Sequence, residues 1–207
     1  RVLARTRMIF PDGTAQVRHG VPHPTAVRHL LSAQVSTQSL VAEAALLHEV
    51  GGWDETLTCW QDYELGFRLL RHAPQPAWCE QVFHRIYRTA DSITGHSLSA
   101  NASGIAAALC RLAEQVETPS AFPCVAGDAQ QLSAQCRRAL WLRAHIVAGR
   151  FCAEGAAPSA ELLLRAVSAR LRPLSFADRV VCALLRRYTA LGGRAAWRLA
   201  LLWCALR

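Results

Sequence analysis

A short stretch of this chain combines carboxylates with tryptophans. Residues 50–65 contain four acids and two tryptophans, namely Asp54, Glu55, Asp62, Glu64, Trp53 and Trp60. A carboxylate can remove the proton of a hydroxyl group, and a tryptophan ring can stack on a sugar. The chemistry that this stretch offers is therefore proton transfer at a hydroxyl, with one acid acting as general base.

Asp62 is the best placed of the four acids. Tyr63, Phe67 and Leu70 recur at helical spacing, which predicts a helix over Trp60–Arg71 with one buried stripe. Asp62 would lie in the first turn, where the positive helix end favours the ionised carboxylate, and off the stripe, where it can face a cleft. The alternative is that Asp62 only caps the helix. Glu64 would point away from Asp62, as a structural or an acceptor-side group.

The other members of the stretch have two interpretations each. Asp54 and Glu55 either shape a pocket or are solvated turn residues. Trp53 and Trp60 either stack on a sugar or belong to the core. Arg88 offers a guanidinium fork that matches phosphate oxygens, or forms a surface salt bridge.

The elements that position these residues follow from periodicity and turn signals. Strand patterns flank Pro11-Asp12-Gly13, which predicts a hairpin. Gly51 and Gly52 are suited to cap a helix. The elements predicted up to residue 97 are strands over Ala4–Phe10, Thr14–Arg18, Val35–Val41 and Ala77–Tyr87 and helices over Ala26–Leu31, Ala44–Val50 and Trp60–Arg71.

Beyond Ser97 the chain is rich in Ala, Leu and Arg at helical spacing. We predict helices over Ser103–Val116, Ala129–Phe151, Ser159–Leu171 and Ser175–Leu191. In the last segment, Arg194–Arg207, arginines alternate with apolar residues. This segment either lies on an anionic lipid surface as an interfacial helix or packs on the preceding helices.

Two motifs follow each other closely in the chain. They are Val50-Gly51-Gly52-Trp53-Asp54-Glu55 and Trp60-Gln61-Asp62-Tyr63-Glu64-Leu65, the second followed by Arg68. Together they resemble the family 2 glycosyltransferases of GT-A fold. The likeness covers the C-terminal half of their catalytic domain, from about Arg7 to about Ser97 here. It implies an α/β fold for residues 1–97, the acceptor side of a Rossmann-like GT-A domain, followed by a mainly helical region over 98–207.

The resemblance also implies an activity. The intact enzyme would transfer a sugar from a nucleotide-sugar donor to a hydroxyl of a glycan or lipid-linked acceptor, by direct displacement with inversion and with Asp62 as base. The substrate-binding residues would be Trp53, Asp54, Glu55, Trp60, Glu64 and Arg88. A divalent metal, Mg or Mn, would bind the donor diphosphate.

Several family features are absent. The chain has no Asp-x-Asp motif, which in this family holds the metal, so we expect it to be a portion of a longer enzyme whose N-terminal half holds the metal and the nucleotide. Gln61 stands where the family usually has Glu, and Ala90 where it has His in the Tyr87–Thr94 ending. These departures support a second hypothesis, a non-catalytic helical interaction or membrane-docking module that retains a degenerate transferase half.

Composition limits the partners. Of the 207 residues, 52% are hydrophobic, which indicates a folded chain, and 23 arginines against 15 acids give a net charge of +8. The arginines are dispersed and no recognition motif interleaves them with aromatics, so we expect no nucleic-acid binding.

Cysteine usage and hydropathy indicate the compartment. The eight cysteines form no Cys-x-x-Cys pair, which favours small buried thiols in a reducing cytosol over a disulfide framework or a zinc site. No apolar run reaches the roughly 18 residues of a membrane span. We therefore expect a cytoplasmic protein, free or peripheral at the inner face of the membrane.

Overall fold

A computed structural model describes residues 1–18, 22–72, 75–89, 97–118 and 129–206, and within them the chain is a mixed α/β structure. The strands are β1 (Val2–Ile9), β2 (Ala15–Arg18), β3 (Leu40–Val41) and β4 (Ala77–Tyr87). The helices are α1 (Ala26–Ser32), α2 (Ala44–Glu49), α3 (Gln61–His72), α4 (Ala102–Glu117), α5 (Ala129–Ala153), α6 (Ala157–Ser168), α7 (Phe176–Ala190) and α8 (Ala196–Ala205).

The sheet is built around β1. One edge of β1 pairs antiparallel with β2 and, nearer its start, with β3, while β4 runs parallel to it. The β1–β2 turn is closed by Asp12, whose Oδ1 accepts from the backbone N–H of Thr14 at 2.9 Å. The predicted hairpin and the predicted strand over Ala77–Tyr87 are confirmed.

The predicted strand over Val35–Val41 is wrong for most of its length, because only Leu40 and Val41 pair with β1. Thr37–Ser39 forms a 3-10 turn instead. The side chains of Ser36 and Ser39 bond to each other at 3.1 Å, and the Ser39 hydroxyl donates to the Ser36 carbonyl at 3.0 Å. Such local bonds compete with a sheet ladder for the same backbone groups.

The helices after residue 97 pack onto the α/β part through one hydrophobic core that extends from Leu3 to Cys204. The helix α5 is at its centre and contacts α1, α4, α6, α7 and α8. It approaches α7 closely at Gly149, where an added Cβ would lie within 3.0 Å of the Arg186 carbonyl oxygen. The four helices predicted in this region are confirmed as α4 to α7, each begun and ended within three residues of the prediction.

The seven cysteines that the structure describes are all free thiols, and five of them are buried. This confirms, for those five, the interpretation of cysteine as a small apolar core residue. None of the described helices combines the length and the hydropathy that crossing a membrane requires.

Candidate functional site

A cavity of about 500 Å³ brings together residues that the sequence had singled out. Asp62, Trp53 and Trp60 all line it. Most of the remaining lining comes from the Thr37–Gln38 turn, from the segment before α4 and from the end of α5. The carboxylate and the two indole rings predicted to act on a hydroxylated ligand therefore face one space.

Asp62 reaches this cavity because α3 begins at Gln61. The backbone N–H of Glu64 donates to the Trp60 carbonyl at 3.0 Å, and Gln61 Nε2 donates to the Leu57 carbonyl at 2.6 Å. The predicted stripe of Tyr63, Phe67 and Leu70 is buried, as expected. Asp62 lies off that stripe and is half-buried.

Trp60 has a backbone conformation that is rare for a large residue. Its φ is +60°, in the left-handed region, which costs a non-glycine residue roughly 1–2 kcal/mol. The ring packs edge-on against Tyr63, with centroids 5.2 Å apart, and the Arg143 guanidinium lies 5.0 Å from the ring centroid on its face. These contacts hold the strained residue in place between Asp62 and the helical region.

The two-glycine turn is fixed to α3 by Arg68. Gly51 and Gly52 have φ of +83° and +65°, as the predicted helix cap requires. Arg68 donates to the Gly52 carbonyl at 2.7 Å and also to the Val50 carbonyl. Its guanidinium forms a fork with both carboxylate oxygens of Glu64, at 2.7 and 2.6 Å.

Glu64 is therefore part of the support and not of the cavity lining. Its side chain is 1% exposed, and Gln115 of α4 also donates to it. Glu64 ties the glycine turn, α3 and α4 together through Arg68 and Gln115, and its role in substrate binding stays a prediction.

The two turn acids differ in their surroundings. Asp54 Oδ1 accepts from the backbone N–H and the hydroxyl of Thr56, and Oδ2 accepts from Arg111 Nε at 3.0 Å. The Thr56 hydroxyl bond is the main cause that lowers the pKa of Asp54. Glu55 is exposed. Asp54 thus shapes the loop next to Trp53, and Glu55 is a solvated turn residue in this structure.

A histidine supports α3 from behind. His29 of α1 is fully buried, and its Nε2 is 2.8 Å from the Tyr63 carbonyl oxygen, to which it donates. Its Nδ1 accepts from the backbone N–H groups of Gln34 and Val35 at 2.9 and 3.1 Å. Burial lowers the pKa of His29 to about 4, so the ring is neutral at pH 7.

Arg88 follows the last residue of β4, and its backbone N–H donates to the Ile9 carbonyl at 2.8 Å. It is not part of the cavity lining around Asp62. Ala90 and the residues 91–94 of the Tyr87–Thr94 ending lie outside the described residues, so the departure at Ala90 stays a prediction.

A second cavity, of about 540 Å³, lies beside the first and shares Arg150 and Glu154 with it. It is also lined by Arg143 and Arg194, and we call it the arginine cavity. This cavity was not predicted, because its arginines are far apart in the sequence. The one available signal was that Arg143 and Arg150 are seven residues apart in a predicted helix, which puts them on one face.

In the part of the chain that the structure describes, no three His, Cys, Asp or Glu side chains come together to hold a metal ion. The chain matches no protein-family model, no curated protein and no solved structure.

Proposed function

We propose that this chain is the acceptor-side part of a GT-A glycosyltransferase that transfers a sugar from a nucleotide-sugar donor to a hydroxyl of a glycan or lipid-linked acceptor. The observation that carries the proposal is that Asp62 shares one cavity with Trp53 and Trp60. Both rings are of a type that stacks on sugars, and the carboxylate is of a type that accepts a hydroxyl proton.

In the proposed reaction, the acceptor hydroxyl lies against Asp62. The Asp62 carboxylate takes its proton while the oxygen forms a bond to the anomeric carbon of the donor. The bond from that carbon to the diphosphate oxygen breaks, and the nucleoside diphosphate leaves with the electron pair. Attack opposite the leaving group inverts the configuration at the anomeric carbon.

The resemblance implies Mg or Mn on the donor diphosphate. No residue of this chain is assigned to that ion, since the described residues offer no cluster of ligands for it. No step is therefore routed through the metal, and the role of the chain is to bind the acceptor and accept its proton.

The test is transfer by the complete natural protein from a panel of nucleotide sugars in the presence of Mg or Mn. The proposal expects a transferred sugar from at least one donor, with turnover lost in Asp62→Asn. A wild-type protein that binds no donor and transfers no sugar would favour the docking module.

One observation favours that second candidate, a membrane-docking module. Large apolar side chains are exposed on α7, on α8 and directly after α8, at Phe176, Val180, Leu184, Leu199, Leu202 and Leu206. Residues 176–206 also carry five arginines and a single acid, Asp178, which is buried and paired with Arg138. An apolar, positively charged surface fits a membrane with anionic lipids.

The side of α8 opposite to these leucines packs on the body of the protein, with Ala200 and Cys204 buried. The predicted alternatives for the segment 194–207, packing or lipid contact, are therefore compatible with each other. The matched test compares sedimentation with vesicles of anionic and of neutral lipid for Leu202→Asp and Leu162→Asp. Leu162 is an equally exposed leucine on α6. If the protein docks through α8, Leu202→Asp should lose binding to the anionic vesicles and Leu162→Asp should keep it.

A further inference from the structure

The arginine cavity is the strongest unassigned feature of the molecule. It lies between the second half of α5, which supplies Arg143 and Arg150, and the connection from α7 to α8, which supplies Arg194. Its volume of about 540 Å³ is in the range of roughly 300–1,000 Å³ that small-molecule sites occupy.

The charge of this cavity is compensated only in part from within, by one acid against three arginines. Glu154 is the one acid in its lining, and its oxygens accept from the backbone N–H groups of Leu98 at 3.1 Å and Ser99 at 2.7 Å. Burial opposes ionisation of Glu154, but these bonds, together with the nearby charge of Arg150, outweigh it and lower the pKa. The ion pairs formed among the described residues involve other arginines, namely Arg5, Arg68, Arg111, Arg137, Arg138, Arg170 and Arg172.

Arg143 is held in place at the wall of the arginine cavity. Its guanidinium lies over the rings of Trp60 and Tyr63, at 5.0 and 5.8 Å from their centroids, and donates to the Leu31 carbonyl at 3.2 Å. Its Nε is buried and has no hydrogen-bond partner. The cation is thus fixed at the cavity wall, where its charge adds to the charges of Arg150 and Arg194.

The start of α8 contributes a third positive feature. Ala195, Ala196 and Trp197 line the cavity, and α8 has no side-chain cap at Ala195. The first N–H groups of a helix lack partners inside the helix and carry a partial positive charge. Uncapped helix starts of this kind bind phosphate groups.

We propose that the arginine cavity binds the phosphate group of a lipid-linked acceptor. This inference rests on the proposed transferase activity. The two cavities share Arg150 and Glu154, so a sugar in the Asp62 cavity can be joined to a phosphate or diphosphate in the arginine cavity next to it. The lipid source is indicated by Leu191 and Leu199, which flank the cavity-lining segment 192–197 and are 81% and 52% exposed.

The test measures binding of farnesyl diphosphate, inorganic pyrophosphate and UDP to the complete natural protein by calorimetry. Arg150→Gln and Arg194→Gln remove exposed arginines of the cavity, and Arg187→Gln removes an exposed arginine of α7 that does not line it. Each of the first two should weaken farnesyl diphosphate binding by about tenfold, the effect of losing one charge-assisted bond, and the third should not.

Three results would overturn the proposal. The first is equal weakening by all three substitutions, because binding would then follow net charge alone. The second is that none of the three probes binds. The third is binding of UDP or pyrophosphate at least as tight as that of farnesyl diphosphate, since the lipid would then contribute nothing.

Asp62→Asn separates this inference from the transferase proposal. It should bind farnesyl diphosphate as the wild type does, because it removes no contact to the phosphate. If it also transfers sugar as the wild type does, the role of Asp62 fails and the phosphate site stands. If Asp62→Asn loses transfer while both arginine variants bind normally, the phosphate site fails and the transferase proposal stands.

Discussion

The guanidinium of Arg143 lies over the indole ring of Trp60, 5.0 Å from its centroid. This contact joins two parts of the chain with different sequence character, since Trp60 belongs to the motif region and Arg143 to the helical region. It also joins two cavities, because Trp60 lines the one that holds Asp62 and Arg143 lines the other. The helical region therefore takes part in building the candidate site.

Trp53 is expected to contribute to ligand binding and little to folding. It is 42% exposed and lines the Asp62 cavity. Trp53→Ala should raise the KM for the acceptor by roughly three- to tenfold, which corresponds to a lost stacking contact of about 1 kcal/mol, with the stability almost unchanged. Phe83→Ala is the control, because Phe83 is 44% exposed on β4 and does not line that cavity. An equal rise of KM in both variants would exclude stacking on Trp53.

Arg68 is expected to be important for stability. Arg68→Ala would leave the buried Glu64 carboxylate with Gln115 as its remaining partner and would release the glycine turn. Removing one partner of a buried ion pair costs about 3–5 kcal/mol of the free energy of unfolding. Urea unfolding measures this loss, and Arg172→Ala, at an exposed arginine that pairs with Glu117, is the control. Equal small losses in both variants would contradict the supporting role of Arg68.

His29 should make the protein less stable in mild acid. Its pKa is lowered to about 4 in the folded state by burial, against about 6.5 in the unfolded chain. Between pH 4 and pH 6.5 the unfolded state binds a proton that the folded state does not. The contribution of His29 to the free energy of unfolding is therefore complete above pH 6.5 and falls by about 3 kcal/mol toward pH 4.

The measurement is the urea midpoint as a function of pH. His29→Gln should be less stable at pH 7 but should have a flatter pH dependence than the wild type. His48→Gln, at an exposed histidine, should keep the wild-type dependence. If the urea midpoint of His29→Gln depends on pH as steeply as that of the wild type, other groups account for the acid sensitivity. One such group is the half-buried His145, since burial also lowers its pKa to about 4.

The sequence was sufficient to predict most elements, because their apolar residues recur at one clear period. Tyr63, Phe67 and Leu70 are an example, and all three are buried on α3. It failed at Ser36 and Ser39, where hydrogen bonds between neighbouring side chains overrode a strand-like composition. The left-handed backbone of Trp60 could not be predicted either, because large residues other than glycine rarely adopt a positive φ.

The candidate site was predictable only in part. Trp53, Trp60 and Asp62 are close in sequence, and they do share a cavity. Arg143 and Arg194 come from distant helices, and their convergence depends on how α5, α7 and α8 pack. Periodicity assigns a residue to a face of its own helix but does not say which other helix that face meets.

The measurement that tests the central claim most directly is sugar transfer by Asp62→Asn in the complete natural protein, with kcat and KM determined separately. The control is Glu161→Gln, at an exposed carboxylate of α6. Loss of a general base should lower kcat by roughly 10²- to 10⁴-fold while KM and stability stay near the wild-type values, and the control should leave all three unchanged. A kcat of Asp62→Asn equal to that of the wild type would contradict the account.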